Sequence, residues 1–161
     1  TAQFYSPARI IMIDTDANRL EVAKRFGATD TLDPSRDDIA AWIKANTKDG
    51  VDVAIEAVGI PATFDTCQSI LRPGGTMAVV GVHGKSVDFQ VQKLWIQNIT
   101  LRTGLVNTNT TALLLKTVLA NKLDPSQLIT HRFSLNDIEQ AYETFGHAAD
   151  EKALKVILSA E

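Results

Sequence analysis

The sequence predicts an α/β fold built on a doubly wound parallel sheet. Short runs of β-branched and apolar residues alternate with longer segments whose apolar residues recur at helical spacing. Several of the helical segments open at a capping residue and close at a glycine. Helices of about a dozen residues between successive strands favour right-handed crossovers and parallel pairing. A three-layer sandwich of another type is an alternative, but it needs different connections.

Seven strands are predicted, each from a short apolar or β-branched run. They span residues 9–13, 29–32, 51–55, 76–80, 98–105, 131–133 and 153–158. The first run is apolar from Ile10 to Ile13, as expected for a strand that is covered on both faces. A turn is predicted at Arg72–Gly75, where a proline is followed by two glycines.

Helical segments lie between these strands and share amphipathic spacing with start or stop signals. They are predicted from Asp16 to Gly27, Ser35 to Gly50, Pro61 to Leu71, 91 to 96, Thr110 to Asn121, and Ser134 to Phe145. Asp16 is expected to cap the first of them. Ser35 with Asp38, and Ser134 with Asp137, resemble capping boxes.

Length and composition fit one globular domain. The chain has 161 residues, 45% of them hydrophobic, and a net charge of -3. That charge gives no reason to expect a nucleic-acid partner, and no apolar run approaches the length of a membrane span. The single cysteine, Cys67, excludes an internal disulfide and a zinc site of several thiolates, and it suits a cytoplasmic location.

Asp14 directly follows the first predicted strand and is the main candidate for a ligand contact. In dinucleotide-binding domains an acid at the end of the second strand accepts hydrogen bonds from the adenosine ribose hydroxyls. A carboxylate suits a diol and would repel a ribose phosphate, so this interpretation favours NAD over NADP. The alternative is an ordinary polar residue that closes a strand.

The phosphate-binding glycines of such a domain should lie roughly 20 residues before this acid. Counting back from Asp14 runs past Thr1, and none of the nine glycines falls in a G-x-G-x-x-G pattern. We therefore expect residues 1–161 to form an incomplete dinucleotide-binding domain without its first strand and glycine-rich turn. The missing strand would lie between Arg9–Ile13 and Val51–Ile55.

Several blocks of sequence, in their order and spacing, resemble the Rossmann-like cofactor domain of medium-chain, zinc-dependent alcohol dehydrogenases. The blocks are Arg9–Asp14, Ala23–Thr29, Gly50–Gly59, Leu71–Gly75, Val79–Val82, Leu123–Pro125 and Leu128–His131. The resemblance covers nearly the whole chain. It implies an oxidoreductase that interconverts alcohols and aldehydes or ketones by hydride transfer to nicotinamide.

The resemblance assigns cofactor contacts to both ends of the dinucleotide. On the adenosine and phosphate side they are Asp14, Arg19, Val58, Gly59 and Lys155. On the nicotinamide side they are Val80, Gly81, Val82, Gly104, Leu105 and Val106. Arg19 has the alternative of a solvated helix charge, and a lysine at 155 lacks the fork with which an arginine grips a pyrophosphate.

The resemblance also implies a homo-oligomer joined through strand 98–105, although the same composition would serve a solvated edge strand. It places zinc in a separate catalytic domain outside this chain. Cys67 and the histidines at 83, 131 and 147 share no metal-ligand spacing, so no catalytic residue and no metal ligand is assigned. His131 is expected to pack or hydrogen-bond, Cys67 to lie in the core, and His83 and His147 to be exposed.

Two other functions stay open at this stage. One is another medium-chain reductase with the same cofactor domain, such as a polyol dehydrogenase or a quinone reductase. The other is a non-catalytic domain that retains a nucleotide-binding fold.

Overall fold

The computed structural model describes residues 1–105 and 107–160. The chain divides into two compact units, each of which is described by itself. Unit 1 combines residues 1–35 with the chain from residue 109 onward, and unit 2 comprises residues 36–108. None of the described helices has the length and apolar character that crossing a bilayer requires.

Strands and helices alternate along most of the chain. The strands are β1 (Ile11–Ile13), β2 (Asp30–Leu32), β3 (Val51–Glu56), β4 (Leu71–Val79), β5 (Thr100–Thr103), β6 (Ile129–Ser134) and β7 (Lys155–Ser159). The α-helices are α1 (Ala17–Arg25), α2 (Ile39–Asn46), α3 (Pro61–Ile70), α4 (Val91–Leu94), α5 (Thr111–Leu119) and α6 (Ile138–Gly146). Short 3-10 turns span Ala2–Tyr5, Trp95–Gln97, Thr108–Thr110, Pro125–Leu128 and Leu135–Asp137.

All strand pairs are parallel, which confirms the predicted sheet type. Unit 2 holds a sheet in the order β3-β4-β5, and unit 1 holds the pairs β1-β2 and β6-β7. Hydrogen bonds thus join the described strands into three sheets rather than one. Among the described residues, β1 and β3 each have a single strand partner.

One face of the unit 2 sheet is covered by helix α3, which contacts β3 and β4. Side chains alternate along β3, so Ala54 and Glu56 are buried on one face. Val53 and Ile55 point to the other face and are 55% and 59% exposed. Phe64 of α3 is buried and belongs to the core of this unit. The core of unit 2 therefore lies between the sheet and α3.

The prediction that a turn at Arg72–Gly75 separates a helix from the next strand is wrong. Helix α3 passes directly into β4, and residues 72–75 form an irregularity within that strand. Val51 pairs with Leu71 whereas Val53 pairs with Thr76, so four residues of β4 stand opposite Asp52 alone. Turn-forming residues here make a bulge, because the chain rejoins the same strand partner after them.

The helix caps agree with the sequence in part. Asp16 caps α1 as predicted, since its carboxylate accepts hydrogen bonds from the first-turn amides. The first predicted capping box is wrong, because Asp38 caps α2 and Ser35 instead donates to Asp33. Ser134 caps the 3-10 turn that precedes α6. Asp38 offers two carboxylate oxygens to a helix N-terminus, so it can replace the serine in this role.

The two methionines test where the stability resides. Met77 of the central strand β4 is 0% exposed, whereas Met12 of β1 is 41% exposed. Met77→Ala should lower the free energy of unfolding by about 2–5 kcal/mol, because it leaves a cavity between the sheet and α3. Met12→Ala should cost less than about 1 kcal/mol. Urea denaturation followed by circular dichroism measures both, and equal losses would contradict this account of the core.

Candidate functional site

An open groove of about 500 Å³ lies at the carboxyl ends of β4 and β5 in unit 2. Val79 pairs with Thr103, and both strands end at this pair because they run in parallel. Strand β5 is therefore shorter than predicted, and the residues after Thr103 leave the sheet. Residues 79–83 line one side of the groove and residues 103–105 line the other. Its volume lies within the range of about 300–1,000 Å³ that is usual for small-molecule sites.

The groove contains five of the predicted cofactor residues. They are Val80, Gly81, Val82, Gly104 and Leu105. Val82 and Leu105 are 86% and 93% exposed, so apolar surface faces the open space. Val106, which was also predicted, lies outside the described residues. Two segments that are separated by more than twenty positions in the sequence are thus neighbours in the fold.

The turn after β3 reaches the same loop. Gly59 is buried with a φ of +90°, and a Cβ atom there would stand 2.3 Å from the carbonyl oxygen of Val82. Only glycine allows the two backbones to approach this closely. The predicted residues Val58 and Gly59 are therefore adjacent to the groove-lining loop.

Glu56, the last residue of β3, organises this region and was missed by the sequence analysis. Its side chain is almost fully buried, at 1% exposure. One carboxylate oxygen, Oε1, accepts hydrogen bonds from the amides of Val58 and Gly59 at 3.0 and 2.8 Å. The same oxygen accepts one from the Thr63 hydroxyl at 2.6 Å. A signal was present, because an acidic residue stands at the end of the predicted strand and just before a glycine turn, much as Asp14 directly follows β1.

His83 completes the network and corrects the expectation that this residue is exposed. Its Nε2 lies 3.0 Å from the other carboxylate oxygen of Glu56, and its side chain is 17% exposed. The ring also packs edge-on against Phe64. His83 Nδ1 is buried and has no hydrogen-bond partner in the described part of the chain. His83 therefore lies in a loop, but its side chain is packed and hydrogen-bonded.

The environment of Glu56 favours its ionised form. Burial acts to raise the pKa of the carboxyl, but hydrogen bonds from Thr63, Gly59, Val58 and His83 outweigh it, so the net pKa lies below its ordinary value. An ionised carboxylate has no proton to donate. The hydrogen between the two side chains therefore belongs to Nε2 of His83, which donates to Glu56.

Asp14 and Arg19 lie together in unit 1. The Asp14 amide donates to the carbonyl of Leu32, which fixes it at the carboxyl end of β1 beside β2. Its Oδ1 accepts a hydrogen bond from the amide of Asp16 at 2.9 Å, and its Oδ2 lies 3.7 Å from Nη1 of Arg19. The Asp14 side chain is 28% exposed and has lone pairs to spare for hydroxyl donors.

Lys155 lies in unit 1, as Asp14 and Arg19 do. It is the first residue of β7, pairs with Ile129 and is exposed. Among the described residues, neither a hydrogen bond nor an ion pair joins its side chain to Asp14 or Arg19. Arg19 itself also lines a cavity of about 290 Å³ whose wall includes Lys152. Lys155 stays a prediction.

The other singled-out side chains serve structure. Cys67 is buried as expected, and that burial, with the nearby charge of Glu56, raises the pKa of its thiol to about 11. His131 stacks on Phe133 and lies 3.0 Å from the Thr130 hydroxyl, and His147 is exposed at the end of α6. Within residues 1–105 and 107–160, no three potential metal ligands cluster.

Comparison with known proteins decides the family. Residues 6–120 match the family model described as zinc-binding dehydrogenase, which covers well over half of the chain. The chain belongs to the zinc-binding dehydrogenase family. The cofactor-domain resemblance and the Rossmann-like fold class inferred from the sequence are thereby confirmed.

Solved structures show the same fold in other dehydrogenases. The chain superposes on zinc-dependent alcohol dehydrogenase 2 from Streptococcus pneumonia with a TM-score of 0.92 and 53% identity, covering 100% of this chain and 47% of that one. It superposes on an alcohol dehydrogenase from Thermus sp. ATN1 with a TM-score of 0.92 and 29% identity, covering 99% and 46%.

One curated relative is a dehydrogenase that is named for a different substrate. L-idonate 5-dehydrogenase from Vitis vinifera is 30% identical over an alignment of 165 positions, which covers 98% of this chain and 44% of the relative. This member of the zinc-binding dehydrogenase family thus spans less than half the length of the relatives it matches.

Gly81 should be indispensable to the packing around Glu56. A Cβ atom at this position would lie 2.4 Å from Oε2 of Glu56 and 2.4 Å from the amide nitrogen of Gly59. Gly81→Ala should therefore lower the free energy of unfolding by about 1–3 kcal/mol. Gly84→Ala is the control, since a Cβ there meets nothing within 4 Å. Thermal and urea unfolding should separate the two variants, and equal stability would contradict the close approach.

The lowered pKa of Glu56 predicts a specific acid response. The unfolded chain binds a proton at the ordinary pKa of 4.5, whereas the folded chain does so only at lower pH. The stability that comes from this shift is fully present above about pH 4.5 and is lost as the pH falls through the folded pKa. As the pH falls below about 4.5, Glu56→Gln should lose less unfolding free energy than the wild type. Parallel pH profiles would contradict the assignment.

Proposed function

We propose that this chain is the NAD-binding part of an oxidoreductase that interconverts alcohols and aldehydes or ketones. The observation that carries the proposal is the groove at the carboxyl edge of the unit 2 sheet. Ligands of open parallel sheets bind outside the carboxyl ends of the strands. The groove gathers Val80, Gly81, Val82, Gly104 and Leu105 at that edge. Similarity to alcohol dehydrogenases supplies the reaction class.

The chain's residues suit the two ends of a dinucleotide. In unit 2, apolar side chains and the glycine backbone at 81 and 104 would receive the nicotinamide ring, with Val106 next in the sequence. In unit 1, Asp14 would accept hydrogen bonds from the adenosine ribose, with Arg19 beside it and Lys155 near the phosphates. When bound, the cofactor supplies the hydride acceptor, and the residues of this chain hold and orient it.

Residues 1–161 would then form an incomplete dinucleotide-binding domain of a longer protein. Two findings support this: the chain spans less than half of its relatives, and the apolar residues Val53 and Ile55 lie open on a sheet face. The catalytic zinc of the family would be bound outside these residues. The single cysteine suits a cytoplasmic protein.

Strand β5 would join two copies of the protein. It pairs with β4 on one edge, and its other edge has no strand partner among the described residues. All four of its residues are exposed. An unpaired edge of this kind is a template for strand pairing with a second copy.

A polyol is the second candidate substrate. The 30% identity to L-idonate 5-dehydrogenase favours it. Turnover assays of the full-length protein with simple alcohols and with polyols would separate the two candidates.

Asp14 offers the most direct test of cofactor choice. Asp14→Asn keeps an oxygen that can accept the Asp16 amide but removes the charge. It should weaken NADH binding by about tenfold and strengthen NADPH binding, because the charge no longer repels a ribose phosphate. Fluorescence titration with both nucleotides measures this. Asp49→Asn, on an exposed turn, is the matched control and should change neither affinity.

If the wild type binds NADPH as tightly as NADH, the role given to the Asp14 charge is wrong. If it binds neither nucleotide, the proposed function is wrong.

A further inference from the structure

Glu56 contacts every backbone segment on one side of the groove. Its carboxylate holds the turn at Val58 and Gly59 through Oε1 and the ring of His83 through Oε2. Its main-chain carbonyl oxygen also accepts hydrogen bonds from the amides of Val80 and Gly81, at 2.8 and 3.1 Å. Glu56 thus bonds to the turn at residues 58–59, to the amides at 80 and 81, and to the side chain at 83.

The bond to His83 fastens the loop after β4. Strand β4 ends at Val79, and the backbone bonds to Glu56 continue only as far as Gly81. Val82 is largely exposed, while His83 turns inward to Glu56 and packs against Phe64. The side-chain pair therefore sets the path of the chain at Val82, where the loop passes over the turn at Gly59.

The opposite side of the groove lacks such an anchor in the described structure. Gly104 has nothing within 4 Å of the position that a Cβ would take, and Leu105 is 93% exposed. The width and shape of the groove are therefore held from the side of residues 80–83.

We propose that Glu56 and His83 are positioning residues for the nicotinamide, which hold the backbone at residues 80–82 in the geometry that receives the ring. This inference rests on the proposed function. It assigns a task to a buried ionised group at the edge of the groove. A charge is costly to bury, and here the cost is offset by four hydrogen bonds, three of which reach the turn and the loop beside the groove.

The variants separate the hydrogen bond from the packing. His83→Gln keeps an amide nitrogen near the position of Nε2 and can still donate to Glu56, whereas His83→Leu cannot. Glu56→Gln keeps an oxygen for Val58, Gly59 and Thr63 but removes the charge. Its amide nitrogen can donate to His83 Nε2 only if the histidine proton moves to Nδ1, which is buried and has no partner in the described structure. Gln68→Leu is the matched control: Gln68 is 5% exposed, and its side chain bonds to residues 65, 88 and 90, away from the groove.

The test measures NADH affinity by fluorescence and unfolding free energy for each variant in the full-length protein. His83→Leu and Glu56→Gln should weaken NADH binding by about tenfold or more, and His83→Gln by no more than about threefold. Gln68→Leu should lose stability yet bind NADH as the wild type does. Unchanged binding by His83→Leu, or equal weakening by Gln68→Leu at a matched loss of stability, would overturn the proposal.

Hydrogen exchange in the cofactor-free protein separates this proposal from the proposed function. Amides of residues 80–84 should lose protection in His83→Leu and keep it in Gln68→Leu. Unchanged exchange in His83→Leu overturns the positioning role even if NADH binds. Failure of the wild type to bind NADH overturns the proposed function, and the positioning of a nicotinamide with it, whereas the exchange result would still show whether His83 holds the loop.

Discussion

At the carboxyl end of β3, the buried carboxylate of Glu56 joins a turn, a helix start and a loop. It accepts hydrogen bonds from two amides of the turn, from Thr63 and from His83. Leaving any of these donors unpaired in a buried site would cost free energy, and leaving the charge unpaired would cost more. The parallel sheet sets where the strands end, and the carboxylate then sets how the segments after β3 and β4 meet.

The same constraint explains two glycines. The turn at Gly59 and the strand end at Gly81 both pass so close to Glu56 and to each other that a side chain would collide with backbone or carboxylate. A groove forms beside them because β4 and β5 end in register, and the chain diverges after both. The shape of the candidate site therefore depends mainly on the close approach of the backbones at Gly59 and Gly81, and less on exposed side chains.

Strand type, parallel pairing and most helix bounds were predictable because they follow from local patterns. The prediction for Arg72–Gly75 was wrong, because turn-forming residues specify a local bend but do not specify whether the chain returns to the same strand afterwards. His83 and Glu56 misled for another reason. From the sequence alone, a histidine between glycines is expected to be exposed and an acid in a strand is expected to be solvated. In the fold the two side chains bond to each other, although they lie 27 positions apart in the sequence. By contrast, the position of Asp14 directly after β1 was predicted, because a strand end is readable from the sequence.

The most direct test of the account is a crystal structure of the full-length protein with NADH bound. The account predicts that the nicotinamide lies in the groove against the backbone of residues 80–82 and 104–105, that the adenosine ribose hydroxyls bind Asp14, and that the Glu56–His83 hydrogen bond is intact. A nicotinamide bound away from this groove, or a Glu56 carboxylate turned away from His83 in the complex, would contradict it.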